Sequence, residues 1–559
     1  PASGRPAPSG HRWRTALWVA GSLVLGLATR LLAWPAVMTE RGVRVAFDTD
    51  AYYHLLQAER LLSGRSVWSE PWLNWPFGQG VLWPPLWDAV IAGAARVAFG
   101  SAPSREQVAL AAVLLPVAVG LLAIAAGAAI GAILLGRGYG IATGYLLAVL
   151  TPTVLWSSVG AADQHAAEIL LWSLIVLAFL AGWRSRSRRV RLGASVALGV
   201  ATALAFWNWQ GSAFNLVLPV LFAAAVHVLL PASEAARRVP VAVAIGFGTA
   251  AVLLGASVAL LGPPGALARG ELAGVTGLHV ATAAGAALVG AGLALARASR
   301  AGHASAARRA AEVAAAAFAP AAVALGAFPS LRPGVVHGLT ALAAANPWYP
   351  VIAEYRHLVF SCLYPLSGDL QVLLGTYGLT FFAAALAIPS LLRRARASED
   401  GRATVLFLAC LAAPLLVLAL VRMRFAPYLA VPLALLTAEG LWWGATRVQA
   451  RFAPRRPAVA VAVAAIAAGV VLAPTVTALT QGVTTQPEGD VVAMRWLRAQ
   501  PSAPGREGVL ATWDLGHLVV YFAGKPAVAS PFGTDGSVDA MVDTARFDLA
   551  TEPGEAGAL

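Results

Sequence analysis

The chain has 559 residues, 58% hydrophobic and 12% charged, with a formal net charge of +13. Its mean hydropathy of +0.70 excludes an ordinary soluble protein of three or four domains. The positive charge is almost entirely arginine (Lys525 is the single lysine), and it lies in short clusters between apolar stretches. That is the positive-inside pattern of a membrane protein rather than a nucleic-acid-binding stripe, so no nucleic-acid partner is expected. Two cysteines, Cys362 and Cys410, are too few for a disulfide framework.

Pro1 to Arg14 reads as a cytoplasmic tail that runs into an apolar span without a small-residue cleavage site, as in a signal anchor. Uncharged runs of about 20 residues, each enough to cross a bilayer core, then recur. They predict thirteen spans, at residues 15–35, 107–136, 138–157, 166–183, 192–210, 212–231, 240–262, 271–298, 310–328, 370–392, 403–421, 425–446 and 457–475. The segments 240–262 and 310–328 are Ala-rich and also compatible with partly buried soluble helix.

With the N-terminus inside, every second connection carries arginine. These are Arg137, the cluster within 184–191, Arg237 and Arg238, the cluster within 297–309, Arg393, Arg394 and Arg396, and Arg447, Arg451, Arg455 and Arg456. The alternate connections are poor in arginine and hold most of the acids, so the expected topology is N-terminus in and C-terminus out. This makes residues 15–475 a polytopic all-α membrane domain. Its external segments 36–106 and 329–369 are long.

The first carries Trp68, Trp72, Trp75, Trp83 and Trp87, suited to the headgroup level. Within it, Pro84 to Gly100 reads as a helix lying flat on the membrane. In the tail, residues 509–513 read as a strand and 518–522 as a strand or short helix. Residues 476–559 are therefore expected to begin a small, incomplete α/β extracytoplasmic domain.

The candidate chemistry lies on the outer side. Asp48 and Asp50, at i and i+2 before Ala51-Tyr52-Tyr53-His54, suit one hard cation such as Mg²⁺ or Mn²⁺. The plainer reading makes Asp50 the N-cap of a helix from Ala51 to Leu62. Asp163 and His165, at a helix entrance with Glu168 behind them, suit the same cation or another N-cap. Glu354 stands in the second long external segment. Arg422 and Arg424 carry positive charge on an outer connection, where it suits phosphate recognition or headgroup anchoring. Thr512-Trp513-Asp514-Leu515-Gly516-His517 offers an indole N–H and a carboxylate for a small polar ligand, or an ordinary strand end.

Taken in order, these segments resemble the catalytic subunit of oligosaccharyltransferase in its single-subunit bacterial and archaeal form. Residues 50–54 are similar to the family's first acidic motif, and 160–168 to its second in an Asp-x-His version. Residues 351–354 are similar to its glutamate-ending motif, and 512–516 to its Trp-Trp-Asp motif. Thr512 stands in place of the first tryptophan and Val351 in place of a common Ser or Thr. The family's further sequon-binding motif is absent.

The resemblance implies a GT-C type fold in the inner (plasma) membrane, working as a single subunit. It implies transfer of an oligosaccharide from a polyprenyl phosphate or pyrophosphate to asparagine in Asn-x-Ser/Thr sequons of exported polypeptides. It assigns Asp50, Asp163, His165 and Glu354 to a divalent cation, Mn²⁺ or Mg²⁺, and to the acceptor amide. Arg424, then Arg422, goes to the donor phosphates, and Trp513, Asp514 and Thr512 to the sequon hydroxyl. Asp48, His54 and Glu168 are supporting residues. Thr512 and Val351 keep open a same-fold transferase acting on a hydroxyl or lipid. A transporter is the remaining alternative, disfavoured because the acids sit in outer loops and no internal repeat is visible.

Overall fold

The computed structural model describes residues 10–45, 49–81, 83–298, 305–341, 366–452, 457–480, 488–501, 508–531 and 537–552. The chain divides into two compact units. The first comprises residues 1–30, 119–155 and 166–481, and the second 31–118, 156–165 and 482–559.

The described residues include eleven helices long and apolar enough to cross a membrane, so the chain is a multi-span, all-α membrane protein. Most predicted spans reappear as single helices, among them His165–Arg184, Arg188–Asn208, Glu234–Leu261 and Glu399–Val421. The Ala-rich helix Ala306–Ala327 buries no residue against the protein. By length and composition it is long and apolar enough to cross a membrane.

Two predicted spans are divided. Residues 138–157 form Arg137–Val149 and Thr151–Leu155, broken at the extended Leu150. Pro152 lies two residues on, and in a continuous helix its ring would meet the carbonyl of Ala148. That carbonyl instead accepts from Thr29 Oγ1 at 2.7 Å and Arg30 Nη1 at 3.3 Å, while Arg30 Nη2 donates to the Thr153 carbonyl at 3.2 Å. The broken backbone is thus satisfied within the protein, the condition for an irregular segment at membrane depth. Residues 370–392 fall into Leu366–Tyr377, Thr380–Ala385 and Ile388–Ala397. The first break is at Gly378, whose φ of +60° an L side chain rarely adopts.

Small residues set the helix packing of this unit. Glu234–Leu261 packs against both Arg188–Asn208 and Gly277–Ala298. A Cβ added at Gly199 would overlap the carbonyl oxygen of Gly246, and one at Gly290 would overlap the backbone of Ala244. Close backbone approach of this kind is how helices associate where no hydrophobic effect drives them together.

In the second unit, Asp50–Leu62 packs against Leu86–Phe99. Two short antiparallel hairpins flank them, Met38–Thr39 with Gly42–Val43 and Ser69–Glu70 with Gln79–Gly80. Leu86–Phe99 has 14 residues, roughly 21 Å of helix and short of a span. The rings of Tyr521 and Phe522 seat the tail on Tyr52, with centroids 5.2 and 5.0 Å away. The strand expected over 509–513 does not form: Val509 makes one isolated parallel bridge to Ala527, and the chain turns at Trp513–Leu515. Residues 518–522 take the helical alternative, and Leu518 to Tyr521 are all buried, a pattern without the alternation of a half-exposed strand.

Gly193 and Gly199 share one helix, but a Cβ at Gly193 meets nothing within 4 Å. Gly199→Ala is expected to cost about 1–3 kcal/mol by overpacking, whereas Gly193→Ala is neutral or slightly stabilising. Thermal unfolding of the two variants side by side in one detergent checks this, and equal midpoints would remove the close-packing account.

Candidate active site

In the second unit, the helix Asp50–Leu62 positions the first group. Thr49 occupies its N-cap without a side-chain hydrogen bond, and Asp50 is already inside the first turn. The N-cap reading of Asp50 therefore does not hold, and its carboxylate stays 45% exposed. One turn on, His54 is buried and faces inward. Its Nδ1 lies 2.5 Å from Asp88 Oδ1, and its Nε2 lies 3.1 Å from Asp163 Oδ1 and 2.6 Å from Gln164 Oε1. Asp163 Oδ2 is 3.1 Å from His165 Nε2. The ring of Trp156 packs edge-on against His165, its centroid 4.0 Å away.

The short segment 156–165 is held in place by its backbone. Gly160 takes a φ of +92° and donates its N–H to Val113 O at 2.9 Å. The Trp87 indole N–H donates to Ala162 O at 2.9 Å. Asp163 is thereby presented to two imidazoles.

The electrostatics follow from this geometry. Burial opposes a charge on His54, but Asp88 and Asp163 outweigh it and raise its pKa to about 10. Burial also works against the Asp163 anion. His165 and His54 overcome it and hold that carboxyl well below the usual range.

Asp88, absent from the candidates read in the sequence, closes the chain by holding His54 from behind. The signal for it was the one carboxylate in the helix Leu86–Phe99, whose only other charge is Arg96 in the last turn, and it is fully buried.

The tail segment joins this neighbourhood through His517, whose Nε2 is 3.6 Å from Asp50 Oδ1 and whose ring centroid is 5.4 Å from Tyr53. Burial, reinforced by the charge on His54, pushes His517 down to about 3. Its approach to Asp50 is therefore that of a neutral ring. Gly516 is glycine for a close approach: an added Cβ would overlap the carbonyl oxygen of Ala529, so the tight contact is with the chain's own backbone. Thr512 and Asp514 are exposed and Trp513 is half-buried, leaving this edge accessible.

The first unit carries a second constellation. Glu168, in the first turn of His165–Arg184, accepts from Arg424 Nη2 at 2.6 Å and from the Tyr428 hydroxyl at 2.5 Å. The Arg424 guanidinium lies 4.4 Å over the Trp209 ring centroid. Arg422, the residue between Glu399–Val421 and the turn Met423–Phe425, is buried. Glu168 thus acts on an arginine rather than only on its own helix end.

Asp48 and Glu354 lie outside the described residues. Among the described residues, no three His, Cys, Asp or Glu side chains are arranged to hold a metal ion.

Removing Glu168 leaves a buried guanidinium without its carboxylate. Glu168→Leu is therefore expected to cost about 3 kcal/mol or more, and adding Arg424→Met is expected to restore most of it. Unfolding midpoints of the two variants decide this, and a neutral single variant would refute a tight pair. For His517, the folded pKa lies below the unfolded one, so its contribution to stability is present above pH ~6.5 and is lost as the pH falls towards about 3. His517→Gln should flatten that acid limb of the melting-point profile relative to the unmodified protein.

No family model matches the chain. A curated relative, dolichyl-monophosphooligosaccharide–protein glycotransferase AglB of Haloferax volcanii, is 29% identical over 207 residues, which are 34% of this chain and 20% of that protein. Among solved structures, archaeal oligosaccharyltransferase AglB from Archaeoglobus fulgidus, in complex with an inhibitory peptide and a dolichol-phosphate, aligns with a TM-score of 0.77 at 16% identity. That alignment covers 94% of this chain and 65% of that one. The Archaeoglobus fulgidus oligosaccharyltransferase complex with Zn and sulfate aligns with a TM-score of 0.70 at 16% identity, over 97% of this chain and 66% of that one. The chain thus spans about two thirds of the solved proteins and a fifth of the curated one. Over nearly its whole length, this chain has the fold of the archaeal oligosaccharyltransferases.

Proposed function

We propose that this chain transfers an oligosaccharide from a polyprenyl phosphate or pyrophosphate carrier to the side-chain amide of asparagine in Asn-x-Ser/Thr sequons of exported polypeptides. The observation that carries the reading is the fold match over 94% of the chain to an oligosaccharyltransferase complexed with an inhibitory peptide and a dolichol-phosphate. The gathering of the Asp50, Asp163–His165 and 513–517 segments in one compact unit supports it. The alternation of arginine clusters supports an inner-membrane protein with a cytoplasmic N-terminus and an extracytoplasmic site. The enzyme works as a single subunit in this reading.

Asp50, Asp163, His165 and Glu354 are the residues that hold a divalent cation. Asp163 Oδ2 and His165 Nε2, 3.1 Å apart, would supply one oxygen and one nitrogen donor, and mixed oxygen and nitrogen donors suit Mn²⁺, Mg²⁺ or Zn²⁺. His54, held from behind by Asp88, orients Asp163 through its Nε2 rather than binding the cation itself. When bound, the cation supplies positive charge for the leaving phosphate.

The chain's own groups do the rest. Asp50 and Glu354 each accept one N–H of the acceptor amide and aim its nitrogen at the anomeric carbon. The nitrogen's lone pair forms the new C–N bond as the C–O bond to phosphate breaks, the phosphate keeps that electron pair, and one carboxylate takes the amide proton. Arg424, with Arg422 beside it, stabilises the charge growing on the phosphate. Glu168 and Trp209 fix the plane of the Arg424 guanidinium for that task. Trp513 and Asp514 hold the sequon hydroxyl, with Thr512 alongside and Asp48 supporting Asp50.

The test is transfer of a polyprenyl-linked glycan to a sequon peptide by the purified chain. Asp50→Ala and Arg424→Ala are each expected to lower the rate roughly 100-fold or more, and EDTA to stop it until Mn²⁺ or Mg²⁺ is returned. Full activity in Asp50→Ala would refute the site. Glycan found on a Ser hydroxyl or a lipid, with the peptide amide untouched, would replace the acceptor while keeping the donor.

A further inference from the structure

The helix Ala426–Phe452 has a second arginine-rich place far from Arg424. Ser390, Arg393 and Arg394 of Ile388–Ala397 and Trp443, Thr446 and Arg447 of Ala426–Phe452 line a cleft of about 430 Å³. It is shallow and open rather than enclosed, so it suits a charged group held at the surface and not a buried small molecule. Arg447 follows Arg424 by about 23 residues, roughly 34 Å of helix, which is the thickness of a bilayer core. The cleft therefore opens at the membrane face opposite Arg424.

Its charges do not balance. Arg394 Nη2 lies 3.5 Å from Oε2 of the buried Glu439, whose other oxygen accepts from Ser390 Oγ at 2.5 Å. Arg393 and Arg447 make no ion pair among the described residues. They converge instead on the Trp443 ring, with guanidinium carbons 5.4 and 5.0 Å from its centroid. Three guanidinium groups thus share one carboxylate, leaving two positive charges uncompensated. Arg394 Nε–H and the Trp443 indole N–H are buried without an acceptor, and Glu439 Oε2, the oxygen facing Arg394, is buried without a hydrogen-bond donor. Such orphan donors are rare and call for an acceptor.

Arginines that serve only to set topology would spread into the headgroup layer. They have no reason to gather two guanidinium groups on one indole beside two orphan donors. We propose that this cleft binds a phosphate group, held by Arg393, Arg394 and Arg447 with the Trp443 N–H as a further donor. Guanidinium forks match phosphate oxygens, and basic clefts between membrane helices take lipid headgroups. The phosphate comes either from an anionic phospholipid or from a soluble phosphate compound. The site uses none of the groups assigned to glycosyl transfer and stands apart from that reading.

The experiment places the full chain in nanodiscs of neutral phosphatidylcholine, alone, with phosphatidylglycerol added, or with inorganic phosphate in the buffer. Thermal unfolding is then read together with lipid retention by native mass spectrometry. Phosphatidylglycerol is expected to raise the midpoint by at least roughly 2 °C through preferential binding to the folded state. The double variant Arg393→Gln/Arg447→Gln should lose most of that rise and the retained lipid, Arg393→Lys/Arg447→Lys should keep part of both, and all should melt alike in neutral lipid. The exposed single variant Arg447→Gln gives the same reading should the double variant fold poorly. A rise with inorganic phosphate in neutral lipid, lost in the Gln variants, identifies a soluble ligand for the same site. Equal responses of the unmodified protein and the Gln variants in both arms would overturn the proposal.

Discussion

The second unit depends on one buried carboxylate. Asp163 sits on the short segment 156–165, which packs with the second unit although the helices on either side of it belong largely to the first. A charge this deep is tolerated only if it is paired, and the pairing sets the rest in turn. His165 takes one oxygen and His54 the other. The helix Asp50–Leu62 must then present His54 inward, which leaves Asp50 at the helix's first turn and partly open to solvent. Asp88 must stand behind His54 to hold its far nitrogen. Burial, reinforced by the charge on His54, in turn keeps His517 neutral, the residue that ties the tail to this helix. The arrangement is a sequence of compensations, each making the next necessary.

Much of the membrane domain was legible because a bilayer imposes a simple rule, about 20 apolar residues per crossing. The two exceptions fail for tertiary reasons. Hydropathy cannot see that the break at Leu150 is tolerable only because Thr29 and Arg30, more than a hundred residues earlier, reach the freed carbonyls. In the site, the motifs at short spacing could be read, since Asp163 and His165 lie two residues apart. Asp88 could not, because its partner is 34 residues away in sequence and its helix otherwise reads as an apolar surface segment. The strand expected over 509–513 was a fair reading of local β-propensity, but propensity has no effect without a ladder to join. Val509 finds a single bridge partner at Ala527.

Packing in the two units rests on different forces. The membrane helices bring backbones together at glycines, where dispersion replaces the hydrophobic effect. The second unit is held by rings seated on one helix and by hydrogen-bonded histidines and carboxylates. A polar network of this kind specifies one geometry when fully satisfied and is costly when any member is lost. That property suits a site that has to keep its ligands fixed, and it explains why the acids gather in this unit.

The helix Ala426–Phe452 shows how one residue type acquires different roles from its surroundings. Near its start, Arg424 lies against the Glu168 carboxylate and over Trp209, so its charge is compensated and its plane is fixed. Near its other end, Arg447 lies over Trp443, with no carboxylate partner among the described residues. Composition counts the two alike, and the positive-inside rule assigns one to each membrane face with no more to say. The difference lies in whether a buried acid has been placed within reach. Glu168 is there for Arg424, and Glu439 is taken by Arg394 and Ser390. The compensated arginine is held in one plane by its carboxylate and its indole. The uncompensated ones create a standing demand for an anion, the demand on which the proposed phosphate site rests.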